Sequence, residues 1–100
     1  MQPELVPLVG PVPACDKACR VLHDEGYHTM TWSDGPGTIY SDHQHDHDEC
    51  LWVLGGRMDF TIGGIVYSVG AGDRLRLRRG TVHAARVVGN ETCYYLIGQR

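Results

Sequence analysis

The chain has 100 residues, of which 42% are apolar and 21% are charged, and its formal net charge is −3. This length provides for one compact domain with a single core, and the ordinary composition excludes a disordered chain. The net negative charge argues against a dedicated nucleic-acid-binding protein. No apolar run reaches the roughly 18 residues that a membrane-spanning helix needs, so we expect no membrane partner.

The first 14 residues contain four prolines and predict an extended arm. They lack the basic start of a signal peptide, so we expect a cytoplasmic protein whose cysteines are reduced. The next segment, DKACRVLHDEG, predicts a short helix that is capped by Asp16 and ended by Gly26. We therefore expect residues 1–26 to form an arm and a helix, and residues 27–100 to form a β-barrel domain.

The chain after the helix predicts only β-strands. Eight short runs are rich in β-branched and aromatic residues, namely YHTMTWS, GTIYSDH, ECLWVL, RMDFTI, IVYSV, RLRLR, TVHAARV and TCYYLI. Glycine, aspartate or asparagine lies at most of the junctions between them. Eight strands at this spacing indicate a sandwich or a small barrel.

Two glycine pairs predict two-residue hairpin turns and thereby the register of three strands. Gly63-Gly64 would pair Ile62 with Ile65, and Gly55-Gly56 would pair Leu54 with Arg57. One interior face then collects the alternate residues Glu49, Leu51, Val53, Met58, Phe60, Ile62, Ile65, Tyr67 and Val69, together with Leu75 and Leu77. The interior is thus apolar, with one carboxylate at its rim.

The same register leaves an unusual outer face. It places outside the barrel the arginines Arg74, Arg76 and Arg78, but also the apolar residues Cys50, Trp52 and Leu54. A strand that is apolar on both faces needs cover on both. Either the arm and helix provide that cover or a second subunit does, and we predict a homodimer that buries Trp52.

Polar residues before one of these strands suggest a metal site. His43 and His45 would project from one face of a strand, about 6–7 Å apart, which allows both imidazoles to reach one zinc-like ion. Glu49 begins the next strand, and an unpaired buried carboxylate is costly, so a cation is its simplest partner. A solvated loop and a metal-free barrel with a polar mouth are the alternatives.

Residues 37–87 contain two motifs of fixed internal spacing. Every specified position of the first, G-x5-H-x-H-x3-E-x6-G, is present, at Gly37, His43, His45, Glu49 and Gly56. The second motif, G-x5-P-x-G-x2-H-x3-N, is present in part, at Gly72, Gly80 and His83. Arg78 and Val87 stand where that motif has proline and asparagine. With these motifs the chain resembles the cupin family, in particular a small single-domain, type-2 cupin.

The resemblance implies a fold and a ligand set. The fold is all-β, a double-stranded β-helix (jelly-roll) barrel, here preceded by a short helix. The ligands of one divalent transition metal are His43, His45, Glu49 and His83, a set that suits Fe, Mn, Ni, Cu, Co or Zn. The two glycines of the first motif fix His43 and His45, rather than His45 and His47, as its histidine pair. We therefore expect His47 to be a rim residue, or an acid or base at the mouth.

Two functions fit this protein. One is a metal-dependent dioxygenase, isomerase or lyase acting on a small organic molecule, since four protein ligands leave coordination positions open. The other is a non-catalytic module that binds or senses a small ligand. The predicted pocket is mostly apolar, with Tyr67 and Ser41 as its polar exceptions, so no catalytic residue is assigned and fold alone does not decide.

Overall fold

The computed structural model describes residues 2–100, which form one helix and nine strands. In chain order these are β1 (Glu4–Val6), α1 (Cys15–Asp24), β2 (His28–Asp34), β3 (Ile39–His43), β4 (Glu49–Gly55), β5 (Arg57–Ile62), β6 (Ile65–Gly70), β7 (Arg74–Leu77), β8 (His83–Val87) and β9 (Cys93–Gln99). The eight strands predicted after the helix are confirmed. The additional strand, β1, forms within the predicted extended arm.

The strands pair antiparallel in two sheets that enclose the main core. One sheet has the order β1-β7-β4-β9-β2 and the other β3-β8-β5-β6. Inward side chains of both sheets form the main core, which consists of Leu51, Val53, Met58, Phe60, Ile62, Val69, Leu75, Leu77, Ala85, Val87, Cys93 and Tyr95. The predicted all-β double-stranded β-helix with a short N-terminal helix is confirmed.

One of the two predicted hairpins is present. Gly63 and Gly64 have φ angles of 59° and 79°, and Ile62 pairs with Ile65 as expected. The hairpin at Gly55-Gly56 was wrong, because β4 and β5 belong to different sheets. The chain crosses between the sheets there, so the two glycines join strands that face each other across the core. The shared interior face of β4 and β5 was still predicted correctly.

Two residues expected inside the barrel lie outside it. The side chain of Ile65 is 54% exposed because it begins β6, an edge strand of its sheet. Ser41 is exposed because the register of β3 against β8 shifts between Tyr40 and His43. Such an irregularity interrupts the strict alternation of faces, so Tyr40 and His43 both line the cavity inside the barrel.

The helix differs from its prediction at one end. Its N-cap is Ala14, with no side-chain hydrogen bond, so the predicted Asp16 cap was wrong. The helix begins at Cys15, which places the Asp16 carboxylate in the first turn, where it favours the positive end of the helix dipole. Gly26 ends the helix as predicted, with a φ of 91°.

The helix covers the outer face of β4. Ala18 and Leu22 of α1, with Tyr27, pack against Cys50, Trp52 and Leu96 in a second apolar cluster. The side chain of Trp52 is only 8% exposed in the single chain. The first of the two proposed covers is therefore present, and Trp52 no longer gives a reason to expect a second subunit. The homodimer itself stays a prediction.

Arg74 was predicted to face outside the barrel, but it is not solvated. It lies on the outer face beneath the end of α1, with 8% of its surface exposed. Its guanidinium lies 4.5 Å from the ring centroid of Trp52, and both of its terminal nitrogens donate to Glu25, at 2.5 and 3.2 Å. The hydrogen bond from Arg74 is the main reason that the pKa of Glu25 is lowered.

The segment before the barrel makes close contacts with it. β1 pairs with β7 along its whole length, and α1 packs on β4 as described. The division into residues 1–26 and 27–100 stays a prediction. Across residues 2–100, no helix combines the length and the apolar character that crossing a membrane requires.

Candidate metal centre

The strand pairing brings four predicted ligands to one end of the barrel. His43, the last residue of β3, is the cross-strand partner of His83, the first residue of β8. Glu49 begins β4 in the opposite sheet, and His45 lies in the connection between β3 and β4. The four side chains therefore come from both sheets and from the loop that joins them.

The distances are compatible with a shared ion. One ring nitrogen from each of His43, His45 and His83 lies within 4.8 Å of the others. The Oε1 atom of Glu49 lies 3.5 Å from His45 Nε2 and 3.7 Å from His83 Nε2. Donors that share one ion at about 2.1 Å lie about 3–3.5 Å apart. The three imidazoles thus form one set of possible ligands, and Glu49 adjoins this set through His45 and His83.

Backbone carbonyls orient two of the imidazoles. His43 Nδ1 lies 2.7 Å from the carbonyl oxygen of Ser41, and His83 Nδ1 lies 2.8 Å from that of Thr81. Because a carbonyl oxygen only accepts hydrogen bonds, each Nδ1 carries the proton. Each Nε2 is then left with a free lone pair, which is the arrangement that metal-ligating histidines need.

Burial sets the charges of these groups. It raises the pKa of the Glu49 carboxyl, an effect that the nearby His83 partly offsets. Burial also lowers the pKa of His83 and His45, whose imidazoles therefore favour the neutral form. Neutral imidazoles and a buried carboxylate suit a divalent metal, which needs deprotonated ligands and compensates the charge of the carboxylate.

His47 lies beside this group rather than within it. Its Nε2 atom is 4.0 Å from Glu49 Oε2, the carboxylate oxygen that does not face His83, and its ring stacks on His45 at 5.1 Å between centroids. His45, His47 and Glu49 thus form a second set of possible ligands. The Nε2 atom of His47 is buried without a hydrogen-bond partner. His47 therefore lies closer to the proposed ligands than a position at the rim implies.

A cavity of about 270 Å³ extends from these ligands into the barrel. Its apolar walls are formed by Met30, Leu51, Met58, Phe60, Ala85 and Ile97. The predicted polar exceptions do not line it, since Tyr67 packs against the core and Ser41 faces outward. Four lining residues with polar atoms were missed, namely Trp32, Tyr40, Tyr95 and Gln99.

The missed aromatic residues converge on one carboxylate. Asp34 accepts hydrogen bonds from the Tyr95 hydroxyl at 2.6 Å, the Tyr40 hydroxyl at 2.8 Å and the Trp32 indole at 3.3 Å. Burial and the bond to Asp34 raise the pKa of both tyrosines, so both stay protonated at neutral pH. Strand alternation in TCYYLI could have placed Tyr95 inside, because it shares the parity of the buried Cys93.

Comparison with known proteins supports the fold. The family described as cupin domain matches residues 30–97. An uncharacterized conserved protein with a double-stranded beta-helix domain, from Klebsiella pneumoniae, is 27% identical with a TM-score of 0.64, over 71% of this chain and 60% of that one. The DMSP lyase DddQ of Ruegeria pomeroyi is 25% identical with a TM-score of 0.67, over 74% of this chain and 38% of the lyase.

A third solved structure shows similarity of fold alone. The polyketide cyclase RemF of Streptomyces resistomycificus is 23% identical with a TM-score of 0.66, over 73% of this chain and 53% of the cyclase. The chain thus spans less than two thirds of each of these three proteins. No curated protein sequence matches it significantly.

Proposed function

This chain belongs to the cupin family, and on that premise we propose that it binds one divalent transition metal and a small organic molecule in the barrel. His43, His45, Glu49 and His83 would hold the metal. Fe, Mn, Ni, Cu, Co and Zn all accept this mixed nitrogen and oxygen set. When bound, the metal would supply Lewis acidity at its open coordination positions.

The orientation of the imidazoles carries this proposal. The carbonyls of Ser41 and Thr81 hold His43 and His83 with their Nε2 lone pairs free, and the Glu49 carboxylate lies within 3.7 Å of His83 Nε2. A bound cation would compensate the charge of the buried Glu49 carboxylate, which faces these neutral imidazoles.

The chain's own groups define what a small molecule meets in the cavity. Phe60, Leu51 and Ile97 provide an apolar wall that excludes water from one side of the metal end, and the Gln99 side chain also lines the cavity. The DMSP lyase among the similar structures supports an enzyme of the lyase class. Dioxygenase and isomerase chemistry fit the same ligands.

A non-catalytic binding or sensing module is the second candidate. It is favoured by the state of Tyr40 and Tyr95, because both hydroxyls donate to Asp34 and have raised pKa values. A tyrosine hydroxyl that stays protonated at neutral pH is a poor general base. The cytoplasmic location and the homodimer stay part of this proposal as predictions.

Metal analysis of purified, tag-free protein tests the proposal. We expect about one equivalent of metal in the wild type and none in the Glu49→Ala/His83→Ala variant. The His28→Ala variant, which changes an exposed histidine on β2, should keep its metal. Protein purified without metal is titrated with Ni(II) and Zn(II). Metal retained after replacement of both His43 and His45, or no binding by the wild type, would contradict the proposed site.

A further inference from the structure

The cavity has a second polar group besides the proposed metal ligands, in which Tyr40 and Tyr95 both donate to Asp34. In the pairing of β4 with β9, Glu49 faces Gln99 and Val53 faces Tyr95. Four residues of strand separate the two positions, a distance of about 13 Å along the sheet. The backbone of Tyr95 is therefore offset along the sheet from that of Gln99, whereas the ring of Tyr40 lies 6.4 Å from that of His43, so the cluster adjoins the proposed ligands.

Every side-chain donor that contacts Asp34 is already used. A tyrosine hydroxyl has one hydrogen to donate, an indole has one, and an ionised carboxylate has none. Tyr95 donates to Asp34 Oδ2, whereas Tyr40 and Trp32 donate to Asp34 Oδ1. Tyr40 and Tyr95 both line the cavity, and their hydroxyl oxygens keep only lone pairs for another partner.

The apolar lining residues offer these oxygens no replacement donor. Met30, Met58 and Ala85 carry no hydrogen-bond donor, and the backbone of Gln99 lies four strand positions from that of Tyr95. A buried carbonyl or carboxylate of a ligand would meet lone pairs and lose the hydrogen bonds that it makes in water. A hydroxyl or an ammonium group would instead donate to a phenolic oxygen.

We propose that Asp34 fixes Tyr40 and Tyr95 as acceptors and thereby selects ligands that carry a hydrogen-bond donor on an otherwise apolar body, namely small alcohols or amines. The inference rests on the proposed function in that the cavity is the ligand site, but it needs no bound metal. The cavity volume of about 270 Å³ limits the ligand. This volume equals that of about nine water molecules in the liquid. A six-membered ring with one substituent can fill it.

A matched pair of probes tests this selectivity. Cyclohexanol and cyclohexanone have the same ring and the same number of heavy atoms, but only the alcohol can donate. We expect the wild type to bind cyclohexanol about tenfold more tightly than cyclohexanone, measured by titration of the ¹⁵N–¹H spectrum. Equal or tighter binding of the ketone would overturn the proposal, as would no binding of either probe.

The Asp34→Asn variant supplies the converse test. The new amide can donate to one tyrosine, whose hydroxyl hydrogen is then free to point into the cavity. We expect the ketone to gain affinity and the ratio of the two affinities to fall to about one or below. Tyr40→Phe, which keeps the bond between Tyr95 and Asp34, should retain the preference for the alcohol. An unchanged ratio in a folded Asp34→Asn protein would show that Asp34 does not set it.

Two further comparisons identify the cause of an observed preference. Cyclohexylammonium, compared with cyclohexanol, distinguishes an amine ligand from a hydroxyl ligand, and both carry the donor that the proposal requires. Each titration is made on metal-loaded and on metal-stripped protein. A preference for the alcohol in both forms supports the role of Asp34 even where Ni(II) titration shows no metal site. Conversely, a bound metal with no probe selectivity rejects this inference alone.

Discussion

The imidazole rings of His43 and His83 lie 4.3 Å apart, as cross-strand partners on β3 and β8. They belong to different sequence motifs and meet only when the two strands pair. The proposed metal site is therefore assembled by the fold rather than by a local segment. Binding of a metal to such a site contributes directly to folding stability.

Metal should raise the thermal stability of the protein. A ligand at 100 times its dissociation constant stabilises the folded state by about 2.7 kcal/mol, which for a domain of this size raises Tm by about 10–20 °C. We expect this shift in scanning calorimetry when Ni(II) or Zn(II) is added to metal-free wild type. The His28→Ala control should show the same shift. An equal shift in His43→Ala/His83→Ala would place the metal elsewhere.

His47 and His45 should differ in their effect on metal affinity. His45 Nε2 lies 3.5 Å from Glu49 Oε1, within the proposed ligand set, whereas His47 Nε2 lies 4.0 Å from the other oxygen. We expect His45→Ala to weaken Ni(II) binding at least 100-fold and His47→Ala to weaken it less than about tenfold. Calorimetric titration measures both. The reverse order would assign the ligand position to His47.

The sequence predicts the fold and the metal end because both depend on local patterns. Spacing indicated His43, His45 and Glu49, the resemblance to the cupin family added His83, and strand parity placed Leu75 and Leu77 in the core, where both are buried. These patterns hold in each strand separately. They do not require knowledge of which strands are neighbours.

The features that the sequence missed depend on contacts between sheets. Asp34 ends β2 and Tyr40 lies on β3 of the other sheet, so their hydrogen bond requires the full topology. The wrong hairpin at Gly55-Gly56 has the same origin, since a glycine pair permits a reversal or a crossing equally well. The exposed Ser41 follows from an irregular register that no local pattern shows.

In metal-free protein, Glu49→Gln should stabilise the fold at neutral pH. Burial raises the pKa of Glu49 above its ordinary value near 4.5. A raised pKa means that the carboxyl's contribution to stability is present below pH 4.5 and is lost as pH rises through the folded-state pKa. The glutamine variant carries no such loss, so we expect it to be more stable than wild type by about 1–2 kcal/mol at pH 7.5.

Urea unfolding of the two metal-free proteins at pH 4.5 and at pH 7.5 measures this difference. It should shrink at pH 4.5, where the wild-type carboxyl becomes protonated. The variant should also fail to bind Ni(II), so that the substitution improves stability and removes binding together. A variant less stable than wild type at pH 7.5 would show that burial of Glu49 is compensated without a metal.

The ion pair between Arg74 and Glu25 should stabilise the packing of α1 on the barrel. The side chains are 10% and 31% exposed, respectively, and the bond from Arg74 lowers the pKa of Glu25. A lowered pKa means that this stability is present above pH 4.5 and is lost as pH falls through the folded-state value. We expect Glu25→Gln to cost about 2 kcal/mol at pH 7 and much less near pH 3.

Glu4→Gln is the matched control for this pair. Glu4 contacts Arg76 at 2.9 Å, but the two side chains are 62% and 34% exposed, so solvent screens their interaction. Its loss should cost less than about 0.5 kcal/mol. Equal effects of the two substitutions in urea unfolding would contradict a special role for the buried arginine.

Gly56 should tolerate alanine less well than Gly64, although both have a similar positive φ, of 76° and 79°. A Cβ at Gly56 would lie 2.7 Å from the carbonyl oxygen of Thr92 and 2.9 Å from the Cα of Cys93, whereas one at Gly64 would meet nothing within 4 Å. Both substitutions incur the backbone strain of about 1–2 kcal/mol. Only Gly56→Ala must also displace the backbone before β9, which adds about 2 kcal/mol. Urea unfolding of the two variants measures the difference directly, and equal free energies of unfolding would show that the close approach of the backbone at Gly56 does not limit the side chain there.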